Sequence, residues 1–301
     1  MKFWMCFILM LMVVSPALSQ DAGDDENQPV NGWNNTGTFQ FLFNQSAFNN
    51  NWTGGGTSSV AGNLNANIEL NYTENRARWE NSLIVEYGLT KQDEDRFTRK
   101  TNDRIEFNSV YGYEVNEGDD SAYYSFFVNA MSQATKGYTY KKDSLGIVQR
   151  KERTNFFSPG YIQAGPGYLY KKGDFFTLNL APSTARLIMV DDQFTSAPDY
   201  VDESYFGVAA GQERRYELGA SLNATYNFTI VENITIGNKL SLYSNYLKSP
   251  GNVDINYLAH IKMKVNDFVS AKFIFQAIYD DNAVGAFQIR EVSGLGLSYT
   301  L

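Results

Sequence analysis

The sequence predicts an all-β fold: a single antiparallel transmembrane β-barrel of about twelve strands, with short periplasmic turns and longer outer loops. Three observations carry this expectation. Polar and apolar residues alternate strictly, the alternation recurs along the whole chain, and the N-terminus has the form of an export leader. Between Asn63 and Tyr72, the polar Asn63, Asn65, Asn67, Glu69 and Asn71 interleave with Leu64, Ala66, Ile68, Leu70 and Tyr72. Successive side chains of a strand point to opposite faces, so this segment has one wet face and one greasy one. A strand of a soluble sandwich can show the same pattern. Its recurrence behind a leader favours lipid outside and water inside.

Residues 1–19 read as a signal peptide: Lys2 is the basic start, Phe7 to Val14 the apolar stretch, and Ala17-Leu18-Ser19 a small-residue cleavage site. The apolar stretch is shorter than the roughly 20 residues of a helical span. Residues 20–36 are expected to form a periplasmic tail, acidic and polar from Asp21 to Asn31, and residues 37–301 the barrel. Strands are expected at 37–46, 60–72, 78–90, 103–115, 122–135 and 161–170. Further strands are expected at 174–184, 215–229, 234–247, 253–265, 268–279 and 287–301. Tight links at 73–76, 116–119, 171–173, 231–233 and 266–267 alternate with longer ones at 47–59, 91–102, 136–160 and 185–214. The links near 248–252 and 280–286 keep the alternation. This rhythm is that of outer-membrane barrels, and an even strand count places both termini in the periplasm. In the last strand, Gly294, Gly296, Tyr299 and Leu301 resemble the C-terminal signal read by the barrel-assembly machinery. Leu295, Leu297, Tyr299 and Leu301 should then face lipid, with Gly296 and Ser298 facing inward.

Composition narrows the chemistry. The lone cysteine, Cys6, lies in the leader, so disulfides, thiolate catalysis and cysteine-bound metals drop out of the exported chain. The net charge is −8 with no basic run, a poor match to nucleic acid. Mean hydropathy is only −0.35, as expected when one face of each strand meets lipid. Tyr and Phe number 20 and 21 against a single histidine, an excess suited to strands and interfacial aromatic girdles.

The inward phase nominates Asn65, Asn67, Glu69, Arg78, Glu80, Glu86, Arg104, Glu106, Lys239, His260, Lys262, Lys264 and Lys272 as lumen-lining residues. Mixed charges there can select solutes in an open pore. They can equally pair into an interior plug, because a barrel of this size can be filled by its own side chains and loops. Both outcomes stay open at the level of sequence. His260 invites a hydrolase reading with Ser241 and Asn245 on the neighbouring strand. Nothing marks either as activated, so a lumen-lining role is expected, with no catalytic residue, metal or cofactor. Thr53-Gly54-Gly55-Gly56-Thr57 lacks the lysine and helix of a phosphate loop. Asp191-Asp192 and Asp280-Asp281 fall short of the oxygen-ligand set a hard cation takes.

Asn51-Trp52 with Gly54-Gly55, Trp79-Glu80-Asn81-Ser82-Leu83, Tyr87-Gly88 and Tyr111-Gly112-Tyr113 form one series of distinctive stretches. Leu180-Ala181-Pro182, Val190-Asp191-Asp192, Ser241 to Leu247 with Pro250, Tyr279-Asp280-Asp281 and Gly294 to Tyr299 continue it. Together these stretches resemble a Bacteroidota outer-membrane barrel family known only as a domain of unknown function, number thirty-seventy-eight. The resemblance implies an outer-membrane barrel and transfers no activity or site residue. The functional expectation is a passive channel or small-solute transporter. The alternative is a closed scaffold whose outer loops bind a surface or assembly partner through Tyr138, Tyr140, Phe156, Phe157, Phe194, Tyr200, Tyr205 or Phe206. A lipid hydrolase built on His260 is a third reading. Expected surroundings are outer-membrane lipid and lipopolysaccharide, with the barrel-assembly machinery engaged during biogenesis.

Overall fold

Two-residue alternation produces strands throughout the computed structural model, which describes residues 31–300 apart from 50, 52, 54, 55, 199, 267 and 284. The expected leader at 1–19, residues 20–30 of the tail, and Leu301 lie outside the described residues. The chain runs β1 (Gly32–Ser46), β2 (Ser59–Glu74), β3 (Ala77–Gln92), β4 (Arg99–Glu114) and β5 (Ala122–Ser132). A hairpin of β6 (Gly137–Lys142) and β7 (Val148–Thr154) precedes β8 (Gly160–Lys172) and β9 (Phe176–Met189). The four-residue helix α1 (Asp192–Thr195) leads to β10 (Arg214–Val231), β11 (Ile234–Asn245) and β12 (Val253–Lys264). β13 (Val269–Tyr279) and β14 (Gln288–Thr300) complete the chain's strands.

All strands except β6 and β7 close into one twelve-stranded antiparallel barrel, ordered β1-β14-β13-β12-β11-β10-β9-β8-β5-β4-β3-β2. Closure leaves no unpaired sheet edge, which is the condition for crossing lipid with strands. The seam joins β1 and β14 in register from Thr38↔Thr300 to Phe43↔Leu295. Among the described residues no helix is long and apolar enough to cross a membrane.

Outward positions are apolar. Phe39, Phe41 and Phe43 of β1, Phe107 and Tyr111 of β4, and Leu295, Leu297 and Tyr299 of β14 are all exposed. At the short-turn end, Trp33 lies 5.1 Å from Tyr72 and 6.1 Å from Trp79, and Phe175 lies 6.2 Å from Tyr226, forming part of an aromatic girdle. This apolar exterior around a polar interior is the architecture of an outer-membrane barrel.

Three departures from the sequence expectation exceed four residues. Residues 32–36, expected in the tail, belong to β1, because Gly32 to Gly37 pair with Thr73 to Ile68 of β2. The segment expected as a plain loop at 136–160 contains the β6–β7 hairpin. Its turn is organised by Asp143, whose side chain accepts the N–H groups of Leu145 and Ile147, while Gly146 takes a positive φ of 77°. β9 continues to Met189, beyond the expected 184, after a register shift around Pro182 and Ser183. Proline lacks the N–H a regular ladder needs, and a bulge is one of the few sheet positions that tolerate it.

Candidate functional site: the barrel interior

Register places the inward side chains in polar rows. Ser82, Asn108, Asn129, Gln163 and Arg186 are consecutive cross-strand partners from β3 to β9, flanked by Glu69 of β2 and Glu217 of β10. A second row joins Asn179, Asn223, Ser241, Asn256, Ile278 and Gln288 from β9 to β14. Most of these residues line a cavity of about 660 Å³ inside the barrel.

The carboxylates are held by ion pairs. On the β3–β4 wall, Glu86 accepts from Asn102 Nδ2 at 3.0 Å and lies 3.6 Å from Arg104 Nε and 4.0 Å from Arg290 of β14. Glu106 accepts from Asn129 Nδ2 at 3.0 Å, lies 3.5 Å from Arg104 Nε, and meets Lys239 Nζ at 3.3 Å. Lys239 stands on β11, nearly opposite β4 in the strand order. The chain of contacts Lys239–Glu106–Arg104–Glu86–Arg290 therefore spans the lumen. Buried charges require such partners, since an unpaired one is strongly unfavourable.

Closer to the long loops, Arg186 is the hub of a second cluster. Its guanidinium meets Asp254 at 2.5 Å and Glu217 at 3.6 Å, and lies 3.4 Å from the centre of the Tyr243 ring. Arg215 binds Glu217 at 2.7 Å and donates to Asn282 Oδ1 at 2.9 Å. Over this cluster folds the 190–213 loop. Tyr205 and Val208 are buried with Ile188 and Val190, and Tyr161, Phe194, Tyr200 and Phe206 pack around them. Asp191 ties the loop down: it caps α1 by accepting from the Gln193 N–H at 3.0 Å and takes an Asn155 amide bond at 3.1 Å. Those hydrogen bonds, the Gln193 N–H foremost, hold the Asp191 carboxyl below the usual aspartate range. Phe156 remains exposed in the 133–159 segment, while Phe206 and Tyr161 line the cavity.

Of the sequence candidates, Glu80, Arg104, Glu106 and Lys239 line the cavity. Glu80 pairs with Lys171 and lies 3.6 Å from Arg78. Asn67 donates to Glu69 at 2.9 Å on β2, the strand that also carries Asn65. Lys262 and Lys272 face each other as cross-strand partners below the cavity, near Lys264. His260 packs over Gly237, its partner on β11, and its other cross-strand neighbour is Ile274. Ser241 is paired instead with Asn256, four positions from His260 along β12, so the residues of the hydrolase reading are not assembled. Gly296 backs onto Leu42 of β1, and Tyr299 is exposed.

Sequence reasoning missed Arg186, Arg215, Glu217 and Tyr243. Glu217 was legible, because it shares the inward phase of Asn223 and Thr225 on β10. Arg186 was not: inward positions run Thr177, Asn179, Ala181 before the bulge and Thr184, Arg186, Ile188 after it. One extra residue reverses the phase.

The family model described as "Protein of unknown function (DUF3078)" matches residues 43–138, from the end of β1 to the start of β6. No curated protein matches the chain. Among solved structures, the chain is similar to the translocator domain of the autotransporter NalP from Neisseria meningitidis (9% identity, 91% of this chain and 90% of that one, TM-score 0.42). It is similar also to the COG4313 outer membrane channel from Pseudomonas putida F1 (14% identity, 94% and 99%, TM-score 0.37). A third is the outer membrane channel DcaP of Acinetobacter baumannii (9% identity, 89% and 97%, TM-score 0.29). None of these likenesses is close enough to carry over a solute or a mechanism.

Proposed function

We propose that the protein is an outer-membrane channel for small solutes, with the ion-pair chain from Lys239 to Arg290 narrowing its interior. The observation that carries this is the cavity of about 660 Å³ inside a closed barrel, lined by amides, hydroxyls and paired charges. That volume lies within the range of small-molecule sites. Twelve strands also fall between barrels filled by side chains and those with a wide aqueous channel. Outside, the apolar belt would sit in outer-membrane lipid and lipopolysaccharide. The Gly294, Gly296 and Tyr299 strand would be the segment offered to the assembly machinery.

Purified barrel in a planar bilayer should show discrete conductance steps, and Lys239→Ala should enlarge them by removing one end of the ion-pair chain. Silence from both proteins, with insertion verified, would overturn the reading. A second reading, a scaffold that binds a surface partner, is favoured by the β6–β7 hairpin, which carries exposed Lys141, Lys142 and Arg150 and pairs with no barrel strand. Stoichiometric co-purification of a partner that is lost with the hairpin would select it.

A further inference from the structure

We infer that the cavity is a binding site for a neutral, polyhydroxylated solute of the sugar class. This rests on the channel reading above and names the solute it would take. Three observations on the cavity wall lead there.

The first is charge. Glu80 is paired with Lys171, Asp103 with Lys100, Glu106 with Lys239, and Asp254 with Arg186. Asp280 is occupied by the backbone N–H groups of Asn282 and Ala283. At these positions an ionic solute competes with the partner already in place, whereas a neutral one leaves the pairs intact.

The second is uncommitted hydrogen-bonding capacity. Gln163, Thr177, Asn223, Thr225, Ser241 and Gln288 line the cavity, and their side chains make no hydrogen bond among the described residues. Four of them sit on adjacent strands in register, Asn223 opposite Ser241 and Thr225 opposite Thr177. Each offers both a donor and an acceptor, the combination presented by a sugar hydroxyl. The Tyr243 hydroxyl adds another. That residue is only 3% exposed, its oxygen has no partner, and it borders the same cavity. A buried polar atom without a partner is unfavourable until something supplies one.

The third is shape at the outer end. Phe206 and Tyr161 meet edge to face there, with ring centroids 6.3 Å apart at 90°. Aromatic faces suit the C–H faces of a pyranose ring, whose rim of hydroxyls is left for the amide and hydroxyl wall.

The test uses intact barrel with maltose and, for contrast, a zwitterionic tripeptide. Liposomes carrying the barrel should swell several-fold faster in maltose than in tripeptide. In titration calorimetry, Asn223→Leu combined with Ser241→Ala should weaken maltose binding about tenfold, the effect of losing one to two hydrogen bonds. Asn223→Gln should restore part of it, and heat-modifiable migration would confirm that each variant is folded. Equal swelling in both solutes with no maltose binding would overturn the sugar assignment and leave a non-selective channel. Preference for the tripeptide, or undiminished maltose binding by the double variant, would also overturn it. Maltose binding without flux of either solute would keep the site and overturn the channel. Neither binding nor flux would overturn both.

Discussion

At the seam, a missing side chain lets the barrel close. Gly296 of β14 stands against β1 where an added Cβ would collide with the Phe41 carbonyl oxygen and the Leu42 side chain. Leu42 is 2% exposed and points inward, filling the space that the glycine leaves. Gly296→Val should therefore spread the strands at the first and last pair. Overpacking of this kind commonly costs about 1–3 kcal/mol, and here it falls on the shortest barrel ladder. The expected result is loss of the fast-migrating folded band on unheated gels, with Gly294→Ala milder because its nearest neighbour would be 3.7 Å away. Gly237 works similarly for His260, whose ring occupies the site of the absent Cβ. The lone histidine is thus explained by packing. Its inward phase could be read from sequence; the glycine beneath it could not, because register between two strands is needed to set one against the other.

Among the elements, β9 and the β6–β7 hairpin decide most. The bulge at Pro182–Ser183 turns Arg186 into the lumen, where it organises Asp254, Glu217 and Tyr243. The hairpin contributes nothing to the barrel ladder and leans on the 93–98 link, where Arg150 lies 4.9 Å from the centre of the Phe97 ring and the Tyr140 ring lies 5.9 Å from it. Replacing residues 137–154 with a short flexible linker should leave the folded band and its melting temperature nearly unchanged, within the few degrees that about 1 kcal/mol represents in a protein of this size. Loss of the folded band would show that the hairpin supports closure. The two elements also mark the limit of reading from sequence. Twelve alternating segments located the twelve barrel strands. The hairpin hid inside a long polar link, and the bulge was invisible because alternation has no memory across an inserted residue.

Over the whole molecule, the interior is electrically graded. The carboxylates of Asp254, Asp280 and Asp281 gather within 4.8 Å of one another at the long-loop end. Lys262 and Lys272 oppose each other toward the short-turn end, and among the described residues neither reaches a carboxylate for an ion pair. Like charges in opposed positions are unfavourable, so the pair biases the short-turn end toward small anions of the surrounding salt. Lys262→Glu with Lys272→Glu should move the reversal potential in a salt gradient toward cation selectivity; an unchanged potential would remove these lysines from the conduction path.

Fold class and strand number were legible in the chain, because each follows from a local two-residue period and from link length; the inward phase could not be carried across the β9 bulge to Arg186. Which inward residues meet was decided only in three dimensions. Glu106 and Lys239 are far apart in sequence and belong to one ion-pair chain because barrel closure brings β4 opposite β11. Closure and stagger are properties of all twelve strands together, and no local pattern encodes the distance across the lumen they enclose.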